Sequence, residues 1–281
     1  MDVRRAVVWL GLCGVILMGF FGSFVDRVIF QPEPGVAVRP HQLGFEGEEV
    51  YLESEDGVRL HAFYLPAPGS RLRGSGRALL FLHGNAGNAS HRLPNAGELA
   101  QLGTHVLLLD YRGYGLSEGE PEESGVYADA RAGLAYLGQR SELPEGRIVV
   151  FGRSLGGAIA VDLARDRPLA GVILESTFSS AADVARGVFG PPGGWLVRDR
   201  FDSLSKIGSV RCPLLFFHGD RDEVVAFELG RRLYAAAPEP KSFEVLRGAG
   251  HNDTTIVGGR AYFARIAAFL DEVAPARLSS D

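Results

Sequence analysis

The sequence predicts a doubly wound, mostly parallel α/β sheet with an antiparallel hairpin at its start, a short lid and one apolar helix at the N-terminus. Three observations predict it. From residue 78 onward, short continuous apolar runs alternate with helical periods, the pattern of a parallel sheet covered on both faces. Before them, two runs of alternating apolar and polar residues flank Glu55-Asp56-Gly57, a hairpin signal. A chain of 281 residues, 46% of them hydrophobic, can also bury one substantial core and carry an appendage.

Taken in order, residues 6–25 form a run of 20 residues without a charge between Arg4-Arg5 and Asp26-Arg27. As a helix it would be roughly 30 Å long, the thickness of a bilayer's hydrocarbon core, and it is expected to be a membrane anchor. A cleaved signal peptide and a buried core helix are the alternatives; a signal peptide's apolar region would be shorter, and Gly22-Ser23-Phe24-Val25 offers no small-x-small cleavage pair. Leu12 before Cys13 argues against a lipid attachment there. Arg4, Arg5 and the α-amino group favour a cytoplasmic N-terminus and an extracytoplasmic domain, although Arg27 and Arg39 follow the span closely. Residues 31–46, opening Gln31-Pro32-Glu33-Pro34-Gly35, are expected to be an extended linker to a domain spanning 47–281.

Within the domain, residues 49–54 and 59–65 make the hairpin and 69–76 a flexible loop. Strands are expected at 78–82, 105–109, 147–151, 170–174, 213–217 and 242–246, and helices at 124–137, 155–165, 226–236 and 260–273. Residues 176–210 are too long for a simple connection and contain Gly190-Pro191-Pro192-Gly193-Gly194, which reads as a small lid. A net charge of -5 with no long basic run gives no footprint for nucleic acid. Cys13 and Cys212 lie in different surroundings and are not expected to pair.

Gly152-Arg153-Ser154-Leu155-Gly156 fits Gly-x-Ser-x-Gly, whose glycines let a strand turn sharply into a helix while exposing a strained serine. Gly115-Leu116-Ser117-Glu118-Gly119 fits equally well. Ser117, however, lies in a loop that runs into Pro121, whereas Ser154 has an apolar strand before it and a small-residue helix after it. Ser154 is therefore the expected nucleophile. A serine needs a base, and the base needs an orienting acid. His251 after the last strand and Asp222 in His218-Gly219-Asp220-Arg221-Asp222 supply them, all three just beyond strand C-termini, where open α/β sheets build their sites.

His83 and His218 each precede a glycine at a strand end and are expected to organise turns. A metal cluster of His83, His218, His251, Asp220 and Asp222 is not expected, because no His-Glu-x-x-His helix accompanies it. The backbone N–H groups of Asn85, in His83-Gly84-Asn85-Ala86-Gly87-Asn88, and of Leu155, next to the nucleophile, are the expected oxyanion donors.

The segments HGNAGN at 83–88, DYRGYGLSEGEP at 110–121, FGRSLGG at 151–157, HGDRDEVV at 218–225 and GAGHND at 248–253 together resemble the small membrane-anchored α/β-hydrolases of the alpha/beta-hydrolase-domain-containing group. The resemblance implies the α/β-hydrolase fold, one N-terminal span, a short cap and hydrolysis of an ester or thioester by a serine hydrolase, with peptide cleavage of the serine-aminopeptidase type as the runner-up. The family's acid in His-Gly-x-x-Asp lands on Asp222, leaving Asp220 as a second carboxylate nearby. No cofactor and no metal are expected; the expected partners are a small-molecule acyl substrate and the membrane. A non-catalytic, membrane-tethered binding protein is the alternative of another class.

Overall fold

The computed structural model describes residues 25–27, 29–68, 76–140, 143 and 146–275. Eight strands form one sheet: β1 (Glu48–Glu53), β2 (Arg59–Leu65), β3 (Ala78–Leu82), β4 (His105–Leu109), β5 (Ile148–Arg153), β6 (Gly171–Glu175), β7 (Leu214–Gly219) and β8 (Lys241–Leu246). Their spatial order is β8-β7-β6-β5-β3-β4-β2-β1. Every neighbouring pair from β4 to β8 is parallel, while β1 and β2 form the antiparallel hairpin at one edge. The helices are α1 (Leu93–Gln101), α2 (Glu123–Gly138), α3 (Leu155–Asp166), α4 (Ala181–Leu196), α5 (Ser203–Ile207), α6 (Phe227–Ala236) and α7 (Thr254–Val273).

The continuous apolar strands have this meaning in three dimensions. Because side chains alternate across a strand, Leu80, Val150, Val172 and Phe216 join one core with Val126 of α2, Ile159 of α3 and Leu233 of α6. Their neighbours Leu79, Phe81, Val149, Phe151 and Ile173 join a second core with Leu93 and Leu99 of α1 and Ile266 and Phe269 of α7. Each such buried side chain stabilises the fold by roughly 1.5–3 kcal/mol, and Phe151→Ala would cost about 3–5 kcal/mol by leaving a cavity beside Phe81.

The sheet order reverses between β3 and β4, so the strand C-termini at this switch point open a crevice beside β5. The sequence reading missed α1, whose Pro94, Asn95 and Gly97 obscure its helical period although Leu93, Ala96, Leu99 and Ala100 are buried. The last helix starts at Thr254 and not at residue 260, with a break at Gly259 (φ 51°) where the periodicity restarts.

Two expectations are corrected or bounded. Residues 31–46, expected to be an extended linker, lie against the domain: Gln31 and Pro32 pair with Ala86 and Gly87, and the Asn88 side chain donates to the carbonyls of Glu33 and Gly35 at 3.0 Å. The prolines keep this segment extended, which is what strand pairing needs. The anchor expected at 6–25 lies, apart from Val25, outside the described residues, as does most of the loop at 69–76. Among the described residues no helix is long and apolar enough to cross a membrane. Of the segment 176–210, α4 forms the cap over the crevice; the Ser180 hydroxyl accepts from Asp183 N–H at 3.1 Å to start it, and Gly190 (φ 71°) before two prolines breaks it.

Candidate active site

Strand β5 leaves the sheet through Arg153 and turns at once into α3, which forces Ser154 to φ 54° and ψ -117°. A side-chain-bearing residue held there costs on the order of 1–3 kcal/mol. Surrounding bonds hold it: Ser154 N–H donates to Glu175 O at 2.8 Å, and the Thr177 hydroxyl donates to Ser154 O at 2.9 Å. The flanking glycines make the turn possible, since a Cβ on Gly152 would stand 2.4 Å from Gly156 O and one on Gly156 2.0 Å from Leu82 O. Ser154 is thus fixed at the head of a helix with its hydroxyl toward the crevice.

The loops after β7 and β8 complete the arrangement. His251 Nε2 stands 3.2 Å from Ser154 Oγ, and His251 Nδ1 stands 2.8 Å from Asp222 Oδ2. The other Asp222 oxygen accepts the backbone N–H groups of Val224 and Val225 at 2.9 and 2.7 Å. Burial pushes the Asp222 carboxyl up, but hydrogen bonds from His218, His251 and Val225 N–H outweigh it and hold the group well below the usual carboxylate range. It is therefore anionic at neutral pH. Asp220, two residues earlier, turns away and accepts Gly248 N–H at 2.6 Å, tying the β7 loop to the loop that carries His251.

The structure brings Ser154, Asp222 and His251 together, and places Asn85 and Leu155 on the wall of the same cavity. Leu155 is the first residue of α3, so its N–H has no acceptor within the helix. The Asn85 side chain is committed to the scaffold: its Oδ1 accepts from Gln31 N–H and from the Tyr114 hydroxyl, both at 3.0 Å, while its amide donates to Ile29 O. What Asn85 has to offer a substrate is its backbone. The cavity, about 220 Å³, is lined otherwise by Phe178, Val184, Val188, Phe189, Phe201 and Val225 among other apolar residues, with no acidic side chain among the described residues. A larger cavity of about 460 Å³ lies behind Arg153 and does not reach Ser154.

His83 and His218 organise turns, as their positions predict. His83 Nδ1 is 2.7 Å from Gly84 O, and burial pushes its ring down to about 4 against the opposing pull of Asp110, so it is neutral. His218 Nε2 lies 3.0 Å from Val225 O and 3.4 Å from Asp222 Oδ2, making it a second support for that carboxylate. Among the described residues no group of three side chains could hold a metal ion.

Sequence reasoning missed the clamp beneath the site. Arg153 is buried and its guanidinium donates to Glu175 Oε1 at 3.1 Å, to Asn252 Oδ1 at 3.1 Å and to the His251 carbonyl. Glu175, fully buried, also accepts from the hydroxyls of Thr254 and Tyr262. One ion pair thus joins the serine turn, the histidine loop and α7. Its signal was a lone charge at the end of each of two apolar strands, since buried charges are rarely left unpaired.

Known proteins resemble this chain over nearly its whole length. The family model described as serine aminopeptidase, S33, matches residues 75–193. An uncharacterized protein of Mycobacterium tuberculosis is 42% identical over 271 residues, covering 96% of this chain and 94% of its own. The alpha/beta hydrolase domain-containing protein WAV2 of Arabidopsis thaliana is 34% identical, covering 98% and 97%, and protein bem46 of Schizosaccharomyces pombe is 36% identical, covering 92% and 89%. Among solved structures, an esterase of Pyrococcus furiosus superposes with a TM-score of 0.74 at 23% identity over 88% of this chain and 98% of that one, a likeness of fold.

Proposed function

The chain belongs to the α/β-hydrolase superfamily, and from that premise we propose that it is a serine hydrolase of acyl esters or thioesters, acting through Ser154, His251 and Asp222. The observation that carries the reading is the unbroken relay from Ser154 Oγ to His251 Nε2 at 3.2 Å and from His251 Nδ1 to Asp222 Oδ2 at 2.8 Å, at the floor of an apolar cavity.

In this reading His251 takes the Ser154 proton as Oγ attacks the acyl carbon, and the buried Asp222 carboxylate fixes the tautomer and stabilises the imidazolium. The N–H groups of Leu155 and Asn85 receive the developing oxyanion. His251 then returns the proton to the departing alcohol or thiol, leaving an acyl-Ser154. Water, deprotonated by His251, attacks that ester; the acid leaves and Ser154 recovers its proton.

The cavity lining favours an acyl chain over a peptide. An aminopeptidase has to hold a free α-ammonium group beside the scissile bond, and among the described residues no carboxylate lines this cavity. The apolar N-terminal run at 6–25 supports an anchoring of the enzyme to a membrane, with the domain outside the cytoplasm. The test is a panel of activated acyl esters of increasing chain length, acyl thioesters and aminoacyl amides, assayed on the wild type and Ser154→Ala. Turnover of the esters or thioesters by the wild type alone is expected; turnover of the aminoacyl amides alone would replace this reading with the peptidase one.

A further inference from the structure

The cap that roofs the Ser154 cavity leaves three large apolar side chains in solvent. Val188 is 60%, Phe189 69% and Trp195 73% exposed, all on α4. The break at Gly190 divides α4 into two short pieces that lie against each other: a Cβ on Gly193 would stand 2.7 Å from Phe189 Cβ and 2.7 Å from Ala185 O. Trp195 lies two residues beyond Gly193 in the second piece and is itself exposed. Val188 and Phe189 also line the cavity, so the exposed apolar surface is continuous with its mouth. Three large apolar side chains left in solvent on one helical segment mark a surface that something covers.

The chain's own path identifies the occupant. Val25, the last residue of the charge-free run, is 4% exposed and packs with Ala182 and Val197 of the cap region, with Ala185 and Leu196 around them. Asp26 pairs with Arg200, and Phe30 meets Phe201 edge-on at 5.8 Å between ring centroids. The apolar run therefore joins the domain at the cap itself and not at the end of a free tether. A bilayer entered by residues 6–24 would begin beside α4. On and just after α4, the exposed Arg186 and Arg198 pair with Asp183 and Asp199.

Resting on the anchor and on the hydrolase reading above, we propose that α4 docks onto the bilayer through Val188, Phe189 and Trp195, so that the Ser154 cavity opens toward lipid and takes its acyl ester from the membrane. The anchor is then more than a tether: through Val25 it sets the orientation of the cap. An apolar acyl chain passes from bilayer to cavity along a surface of like polarity, without crossing water.

The chain contains two tryptophans, Trp9 and Trp195, so the full-length Trp9→Phe protein carries one indole, on the cap. Reconstituted into phosphatidylcholine vesicles with and without bromine on the acyl chains, Trp195 should be quenched by the brominated lipid and shielded from aqueous iodide. Co-flotation with vesicles reports the anchor, and turnover of a soluble short-chain ester by the same preparation reports the hydrolase. A protein that floats but whose Trp195 is quenched by iodide alone would overturn the docking and leave the anchor standing. Shielding from both quenchers would overturn it in favour of a protein contact, and failure to float would overturn docking and anchor together. As a second arm, Trp195→Glu in the full-length chain should lower hydrolysis of a vesicle-embedded ester about tenfold relative to the wild type while leaving the soluble ester unchanged. Equal rates on vesicles would contradict the proposal.

Discussion

Two stretches of this chain share the spacing Gly-x-Ser-x-Gly, and each has a histidine and an aspartate within reach, yet they are wired for opposite ends. At Ser154, His251 turns a ring nitrogen toward the hydroxyl, and a carboxylate holds the far side of the ring. At Ser117, His61 Nδ1 is 2.7 Å from Asp110 Oδ2, but His61 offers the serine only its backbone N–H, at 2.8 Å. The Ser117 hydroxyl is itself spent on Asp110 O at 2.9 Å, and Gly115 is small because a Cβ there would stand 2.1 Å from Asp110 Oδ2. Residue types in reach do not make a relay; a hydroxyl with no committed acceptor, facing a ring nitrogen across a cavity, can. The Ser117 group instead joins the β2 edge to the loop after β4.

The largest effect that would sharpen this contrast is expected at Asp222. Asp222→Asn keeps the shape but favours the wrong imidazole tautomer, and should lower kcat on an activated ester by about 10⁴ in a Ser-His-Asp relay. Asp220→Asn keeps an amide oxygen that can accept Gly248 N–H and loses only the charge behind that bond, so it should cost about 1 kcal/mol of stability or less and tenfold or less in kcat. Kinetics and thermal melts on both variants decide it; a greater kcat loss for folded Asp220→Asn would move the acid to Asp220.

A smaller effect is expected on the structural side, in the pH dependence of stability. His83 has a folded value of about 4 because of its burial, against about 6.5 for the unfolded ring. Between those values the unfolded chain binds the extra proton, so stability should fall as pH drops from about 6.5 to about 4, by up to roughly 3 kcal/mol. Melts of His83→Gln across that window should show a shallower decline than the wild type. An equal slope would mean that His83 is not the neutral, buried prop that the geometry describes.

The smallest effect belongs to Ser117. Ser117→Ala removes a hydroxyl that bridges Asp110 O and His61 N–H, which should cost about 1–2 kcal/mol and leave ester hydrolysis near the wild-type rate once the protein is folded. A large kcat loss without a change in melting would break the distinction between the two serines.

Much of this arrangement was legible in the sequence because it depends on local chemistry. Continuous apolar runs marked β3 to β7, and the two serine motifs could be told apart by what flanks them, a strand and a helix for Ser154 against loop and proline for Ser117. The relay's members all follow strand ends, a position that periodicity can locate. The clamp of Arg153 on Glu175 and the His251 carbonyl was not legible, since its partners lie far apart in the chain and meet only after β5, β6 and the β8 loop are side by side. Helix α1 was hidden for a different reason: Pro94 and Gly97 weaken its propensity, and packing of Leu93 and Leu99 under the sheet overrides it. The same holds for residues 31–46, whose prolines read as a linker until a partner strand at Ala86–Gly87 is supplied.

The central claim, that Ser154 and not Ser117 is the nucleophile, is tested most directly by labelling the full-length protein with a fluorophosphonate and mapping the modified peptide by mass spectrometry in the wild type, Ser154→Ala and Ser117→Ala. The account predicts a single adduct on Ser154, absent from Ser154→Ala and retained in Ser117→Ala. An adduct on Ser117, or labelling that survives Ser154→Ala, would contradict it.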